Sequence, residues 1–317
     1  MYKFLVRPFL FSFDPEWVHY FSLNALRLIN KIPLSRWLLR KIYSYENPAL
    51  EKVLFGIKFK NPVGLAAGFD KNGKYINELS NLGFGFIEIG TITPKPQQGN
   101  PKKRLFRLQN DSAIINRLGI NNDGSYICAE RLKKNNSDVV IGGNIGKNTS
   151  TSNENADADY IQNFETLHHY VDYFVLNVSC PNVSNFTKLQ DVEFLKKLVP
   201  QLKKINSTKP KKKPILIKIS PDLNQDQLDE TIDLILSENL DGIIATNTTT
   251  TRENLKTNKI KIEKIGNGGL SGEPLKSKST DVIRYISKKT SGNLPIIGVG
   301  GIMNSKDALD KIEAGAD

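Results

Sequence analysis

The chain is predicted to fold as an α/β barrel of the TIM type, (β/α)8, preceded by a helical extension. Three observations carry this. From about Tyr45 onward, short β-branched apolar runs alternate with helical stretches. Those runs are apolar at consecutive positions, as strands buried on both faces of a helix-covered parallel sheet must be. The alternation also persists over about 250 residues, the usual extent of such a barrel.

The extension is residues 1–45, and the barrel is residues 46–317. The extension is rich in large apolar side chains, among them Phe4, Phe9, Phe11, Phe13, Trp17 and Phe21. Asp14-Pro15-Glu16 predicts a helix start, with a capping side chain, a proline in the first turn and a carboxylate at the positive end of the dipole. Pro33 breaks the pattern. A second helix over Leu34–Tyr43 is expected to put Trp37, Leu38 and Ile42 on a different side from Arg36, Arg40 and Lys41. A signal peptide fits poorly, because Asp14, Glu16 and His19 interrupt the apolar stretch and no small-residue cleavage site follows. Two readings stay open: a helical cap packed on the barrel, and a basic amphipathic hairpin lying on a membrane.

The predicted strands are Pro62–Ala67, Phe84–Thr91, Val139–Ile145, Tyr173–Ser179, Pro214–Ser220, Gly242–Asn247 and Pro295–Gly300. Helices are expected near 73–82, 123–135, 155–170, 191–206, 224–238, 277–290 and 305–314. This makes seven units. Ala314-Gly315-Ala316-Asp317 reads as a helix end and the turn into a further strand. The expectation is therefore a barrel truncated before its eighth strand, with an open sheet as the alternative.

Hydrophobic residues make up 39% and charged residues 24% of 317, which excludes disorder for the bulk of the chain. No apolar run approaches the roughly 20 residues of a membrane-spanning helix. Two cysteines, Cys128 and Cys180, exclude a disulfide scaffold and favour a reducing compartment. The net charge of +11 is unevenly spread. Lys3, Arg7, Arg27, Lys31, Arg36, Arg40 and Lys41 face only Asp14 and Glu16 within the extension. The lysines from Lys203 to Lys213 read as a solvated loop before a strand. No base-stacking aromatics accompany them, which argues against nucleic acid.

In a barrel the chemistry sits where strands end. Here strand one ends Ala66-Ala67-Gly68-Phe69-Asp70-Lys71, strand two at Gly90-Thr91 and strand three at Asn144. Strand four ends Asn177-Val178-Ser179-Cys180-Pro181-Asn182. Strand five contains Lys218, strand six ends Thr246-Asn247-Thr248, and strand seven ends Gly298-Val299-Gly300-Gly301. A lysine inside Ile217-Lys218-Ile219 needs an anion, because a buried ammonium is otherwise costly. The strand ends form a polar ring rich in hydrogen-bond donors and poor in acids, suited to a neutral or anionic heterocycle and not to a divalent metal. His19, His168 and His169 lie away from it, against metal catalysis and against a Ser-His-Asp triad. Gly266–Gly272 and Gly298–Gly301 read as flexible turns or as a phosphate cradle. No GxGxxG follows an early strand, so a Rossmann nicotinamide site is not indicated.

Five stretches occur in a family's order: Ala66–Lys71, Glu88-Ile89-Gly90-Thr91-Ile92-Thr93-Pro94, Asn116-Arg117-Leu118-Gly119-Ile120-Asn121-Asn122, Asn177–Asn182 and Gly298–Ile302. With them the chain resembles the flavoprotein dihydroorotate dehydrogenases. Its extension is similar to that of the membrane-associated, quinone-dependent class 2, since the soluble class 1 enzymes lack one. The resemblance implies oxidation of (S)-dihydroorotate to orotate in de novo pyrimidine (UMP) biosynthesis, with FMN as hydride acceptor and a membrane quinone as electron acceptor. It implies FMN held by Ala67, Gly68, Thr91, Asn144, Asn177, Lys218, Thr246, Gly272, Gly300 and Gly301. Substrate would meet Lys71, Asn116, Arg117, Leu118, Gly119, Ile120, Asn182, Asn247 and Thr248. Cys180 falls at the catalytic base position, where class 2 members usually carry serine and class 1 members cysteine. No metal is implied. Residues 1–45 would hold the protein peripherally on an anionic membrane surface, at the cytoplasmic face. A class 1-like or dihydropyrimidine dehydrogenase-like flavoprotein with a soluble acceptor stays open as the second reading.

Overall fold

The computed structural model of the chain describes residues 2–178 and 192–317. The extension holds α1 (Arg7–Phe11), α2 (Pro15–Asn30) and α3 (Pro33–Tyr43), followed by a hairpin of β1 (Lys52–Leu54) and β2 (Ile57–Phe59). Then come β3 (Gly64–Leu65), α4 (Ile76–Leu79), β4 (Phe86–Ile92), β5 (Leu105–Leu108), β6 (Ala113–Asn116), α5 (Ser125–Leu132), β7 (Val140–Ile145), α6 (Ala156–Leu167) and β8 (Tyr173–Asn177). The chain continues through α7 (Val192–Ser207), β9 (Ile215–Ile219), α8 (Gln225–Ser237), β10 (Gly242–Ala245), α9 (Lys259–Ile265), β11 (Gly269–Gly272), α10 (Lys276–Lys289), β12 (Ile296–Gly298) and α11 (Ser305–Glu313).

All seven predicted strands take part in one parallel seven-stranded sheet, ordered β12-β10-β9-β8-β7-β4-β3. It curls as part of a TIM-type barrel, with β3 and β12 at its edges among the described residues. The predicted end of strand four, Ser179, lies outside the described residues. Strand one is shorter than expected, only Gly64–Leu65.

Alternation along each strand sorts side chains to two faces. Phe174, Leu176, Ile217 and Ile243 pack outward against the helices in the main core. Val140, Tyr173, Val175, Leu216 and Ile244 form a second cluster, the apolar plug of the barrel. Continuing the second face towards the strand ends, by two residues after Val175, Leu216 and Ile244 and by four after Val140, reaches Asn177, Lys218, Thr246 and Asn144. Pleating alone therefore puts the polar ring on top of the plug.

The segments that follow α6, α8 and α11 share a device. The backbone N–H of Asp172 donates to Ile141 O at 2.7 Å, and its carboxylate accepts from Ile141 N at 2.9 Å. Asp241 does the same to Ile215 at 3.2 and 2.8 Å, and Asp317 to Ile296 at 2.9 and 2.9 Å. Each aspartate grips the start of the preceding strand, at the end of the sheet away from the polar ring.

Two corrections concern irregular regions. β5, β6 and β11 form a three-stranded antiparallel sheet that the βα rhythm did not predict. Part of the glycine-rich 266–272 stretch is therefore strand β11, not a flexible turn. Gly269 is demanded by packing there, since a Cβ would lie 2.1 Å from Thr248 Oγ1.

The extension begins as expected: Asp14 caps α2, accepting from Glu16 N and Trp17 N at 3.0 Å each. Pro33 opens α3 at its first turn. Lys41, expected on a different side from Trp37, instead lies 5.0 Å from the centre of its ring, because residues four apart share a helix face. The extension is also tied to the barrel. Glu16 and Arg104, both buried, form a two-pronged ion pair at 2.6 and 2.9 Å. Arg27 donates to Glu78 at 3.1 Å, and Tyr75 donates to Asn24 at 2.9 Å. On its outer side, Phe9, Phe13, Trp17 and Phe21 form a row of ring contacts, edge-on, tilted and stacked in turn, at centroid distances of 5.2, 5.3 and 5.0 Å. All four are exposed. Among the described residues no helix is long and apolar enough to cross a membrane.

Candidate active site

The strand ends open into a cavity of about 1910 Å³. Its polar floor is one continuous chain of hydrogen bonds. Lys218 Nζ from β9 lies 3.1 Å from Glu88 Oε1 on β4. Asn144 Nδ2 on β7 donates to the same oxygen at 2.7 Å. Thr91 Oγ1 donates to Asn144 Oδ1 at 2.6 Å, and Asn177 Nδ2 donates to Thr91 Oγ1 at 2.6 Å. Asn247 Nδ2 donates to Asn177 Oδ1 at 3.2 Å, and its own Oδ1 accepts from Thr248 N at 3.0 Å. Four strands and the loop after β10 thus contribute side chains to one network.

One side wall is the loop after β3. Gly68 N donates to Gly90 O at 2.9 Å, and Gly90 N donates to Asp70 O at 3.2 Å, which pins the loop to β4. The buried Asp70 carboxylate accepts from Lys74 N at 2.9 Å and Tyr75 N at 2.7 Å, fixing the turn that presents Lys71 to the cavity. The opposite wall follows β6. There Gln97 Nε2 donates to Gly119 O at 3.3 Å and Ile120 O at 3.0 Å, and Asn100 Nδ2 to Arg117 O at 2.9 Å.

Ala67, Gly68, Lys71, Thr91, Asn116, Leu118, Gly119, Ile120, Asn144, Asn177, Lys218, Thr246, Asn247, Thr248, Gly272, Gly300 and Gly301 all line this cavity. Arg117 does not. Its guanidinium lies over the Phe106 ring at 4.5 Å and donates to Ile265 O and to Asn267 O, the latter at 3.1 Å. Cys180 and Asn182 lie outside the described residues.

The third wall is the extension, whose Val18, His19, Leu23 and Leu26 line the same cavity. Sequence reasoning set all three histidines apart from the strand ends, and His19 overturns that. Its ring meets Phe69 edge-on at 4.9 Å, and burial pushes its pKa below the ordinary value. Glu88 was also missed. The signal was present, a lone carboxylate in Phe86-Ile87-Glu88-Ile89, matching the lone lysine in β9. Among the described residues no cluster of three or more His, Cys, Asp or Glu is arranged to hold a metal ion.

The sequence model of the family named Dihydroorotate dehydrogenase matches residues 49–317. This chain belongs to the dihydroorotate dehydrogenase family. A protein named dihydroorotate dehydrogenase (quinone) from Christiangramia forsetii is 56% identical over 316 residues, covering 100% of this chain and 92% of that protein. One of the same name from Nostoc punctiforme is 46% identical over 330 residues, covering 100% and 87%. Among solved structures, DHODH from Eimeria tenella in complex with ferulenol superposes with a TM-score of 0.83 at 36% identity, covering 96% of this chain and 84% of that one. The two named quinone-dependent members align over the whole chain, extension included. The dihydroorotate dehydrogenase match therefore spans the barrel and the helical segment that completes its cavity.

Proposed function

We propose that the chain oxidises (S)-dihydroorotate to orotate in pyrimidine biosynthesis and passes the electrons by way of FMN to a membrane quinone. One observation carries this reading. Apart from Arg117, the described residues that the family resemblance assigns to cofactor and substrate line a single cavity, and the extension forms its third wall.

The residues present fit FMN. Amide and ammonium groups line the floor, suiting the edge of a flavin ring. Gly68, Gly272, Gly300 and Gly301 leave bare backbone along the cavity. At Gly301 (φ +70°) a Cβ would lie 2.6 Å from Lys276 Cα, so no larger residue can stand there. Gly300 and Gly301 meet the start of α10, where backbone N–H groups and the helix dipole suit a phosphate. When bound, FMN supplies the two-electron acceptor for the substrate hydride.

The chain's own residues do the rest. Lys71 neutralises the dihydroorotate carboxylate. Asn116 and Asn247 pair with the donors and acceptors of the pyrimidine ring, and Leu118 and Ile120 help to keep water out. Cys180 takes the proton from the carbon beside the ring carbonyl. A thiol with an ordinary pKa near 8.5 has a usable thiolate fraction near neutral pH.

The exposed Phe9, Phe13, Trp17, Phe21, Leu34 and Trp37, with the basic residues of the extension, support peripheral attachment to an anionic membrane at the cytoplasmic face. Cys180→Ala tests the chemistry. Stopped-flow flavin bleaching by dihydroorotate should slow about 10²- to 10⁴-fold with orotate still bound. An alanine variant within about threefold of the parent would remove Cys180 as the base. Turnover with fumarate or NAD in place of quinone analogues would overturn the acceptor.

A further inference from the structure

The floor of the cavity holds a charge for which the proposed reaction gives no role. Glu88 is 1% exposed and Lys218 4%. Glu88 has Gly142 as its register partner on β7, and Gly142 in turn pairs with Tyr173 on β8. The Tyr173 ring fills the space that Gly142 leaves, since a Cβ there would lie 2.5 Å from the hydroxyl. The Tyr173 ring thus lies close to Glu88, and Glu88 lines the cavity.

An ionised carboxylate only accepts hydrogen bonds. Its contact with Asn144 therefore fixes which way that amide faces: Nδ2 down to Glu88, Oδ1 up to the Thr91 hydroxyl. The Thr91 oxygen must then accept from Asn177 Nδ2, and Asn177 Oδ1 from Asn247 Nδ2. One acceptor-only group gives direction to the whole network. The same oxygen anchors the Lys218 ammonium at the end of its flexible stem.

We infer that Glu88 is the counter-ion that positions Lys218 and orients the amide chain, and thereby sets how strongly the site favours the reduced form of a bound flavin. The inference rests on the reading that FMN occupies this cavity. An ammonium beside the anionic reduced ring stabilises it, and for a side chain as buried as Lys218 that effect is larger than in bulk water. Paired with Glu88, Lys218 acts as half of a dipole and not as a full positive charge. The flavin can then accept electrons from dihydroorotate and still release them. Glu88 is a positioning residue, acting through Lys218 and Asn144.

The test uses the full chain with FMN bound. Glu88→Gln keeps the shape, removes the charge and can donate as well as accept. Its two-electron midpoint, measured by dye equilibration, should move towards the reduced form by at least about tenfold in equilibrium, or about 30 mV. FMN should also bind more weakly. A second measurement needs no flavin readout. Lys218→Met strands the carboxylate, so the as-isolated double variant E88Q/K218M should melt at a higher temperature than K218M alone. A parent that takes up no FMN overturns the reading of the cavity and this inference with it. A parent that binds FMN, with E88Q matching its midpoint or the double variant no more stable than K218M, overturns the role of Glu88 alone.

Discussion

Tyr173 is wholly buried, and among the described residues its hydroxyl has no hydrogen-bond partner. Burial pushes its pKa well up, and the Glu88 charge adds to this, so the phenol stays protonated. A buried hydroxyl without a partner is a cost and not a contribution. Tyr173→Phe keeps the ring that fills the space above Gly142. The expected result is an unchanged or higher urea midpoint, with a gain of up to about 1 kcal/mol. A clear loss of stability would mean that the hydroxyl does have a partner in solution. Nothing in the run Tyr173-Phe174-Val175-Leu176-Asn177 marks this residue from sequence alone. A strand pattern places it on a face but does not show which partner its polar atom lacks.

At the scale of elements, Asp222 ties the loop after β9 to the loop after β10. Its carboxylate accepts from Thr249 Oγ1 at 2.5 Å, Thr250 N at 2.7 Å, Thr250 Oγ1 at 2.9 Å and Lys278 Nζ at 2.5 Å. Burial alone would raise its pKa, but the donors from Lys278, Thr249 and Thr250 outweigh that and hold it below the usual value. A depressed carboxylate contributes stability above the unfolded value of about 3.9 and loses it as pH falls through the folded one. Asp222→Ala should therefore be less stable at neutral pH and less sensitive to acid below about pH 4. The loop it frees carries Asn247 and Thr248, so KM for dihydroorotate should rise about tenfold, the ~1.4 kcal/mol of a lost tie, with kcat changed less. Equal KM in parent and variant would show the loop to be held without it.

The same scale shows what could be read from the sequence. All seven parallel strands were legible because continuous apolar runs admit few other structures at that length. The polar ring followed because their ends carry asparagines and lysines. The antiparallel β5-β6-β11 sheet was not legible: β6 and β11 are distant in sequence, and glycine in β11 reads as a turn. The aspartate clasps at Asp172, Asp241 and Asp317 were missed for a related reason. An aspartate just past a helix looks like loop punctuation until the neighbouring strand is beside it. Arg117 sits inside a matching stretch, yet its guanidinium serves backbone carbonyls on the far side of the wall, a direction that sequence does not encode.

At the scale of the molecule, the extension is both a wall of the cavity and an outer apolar face, and two sets of substitutions separate these roles. Glu16 and Arg104 are 6% and 7% exposed, and Arg104 also donates to Gln98 O at 2.6 Å and Asn100 O at 2.8 Å. Glu16→Ala leaves a buried guanidinium without its partner, which costs about 3–5 kcal/mol, whereas the double variant E16L/R104M should recover much of it. Because this pair joins α2 to the loop that precedes β5, Glu16→Ala should impair quinone reduction in detergent as well as on vesicles. The aromatic ladder lies on the other side. Replacing Phe9, Trp17 and Phe21 together by serine alters exposed and half-exposed rings and no residue of the core or the cavity wall, so thermal stability and flavin reduction by dihydroorotate should stay near parental values. Binding to vesicles rich in anionic lipid should fall, and turnover with a long-chain quinone embedded in them should fall with it. Turnover with a short water-soluble quinone should persist. Parental vesicle binding by the triple variant, measured by flotation at low and high salt, would place the membrane contact elsewhere on the molecule.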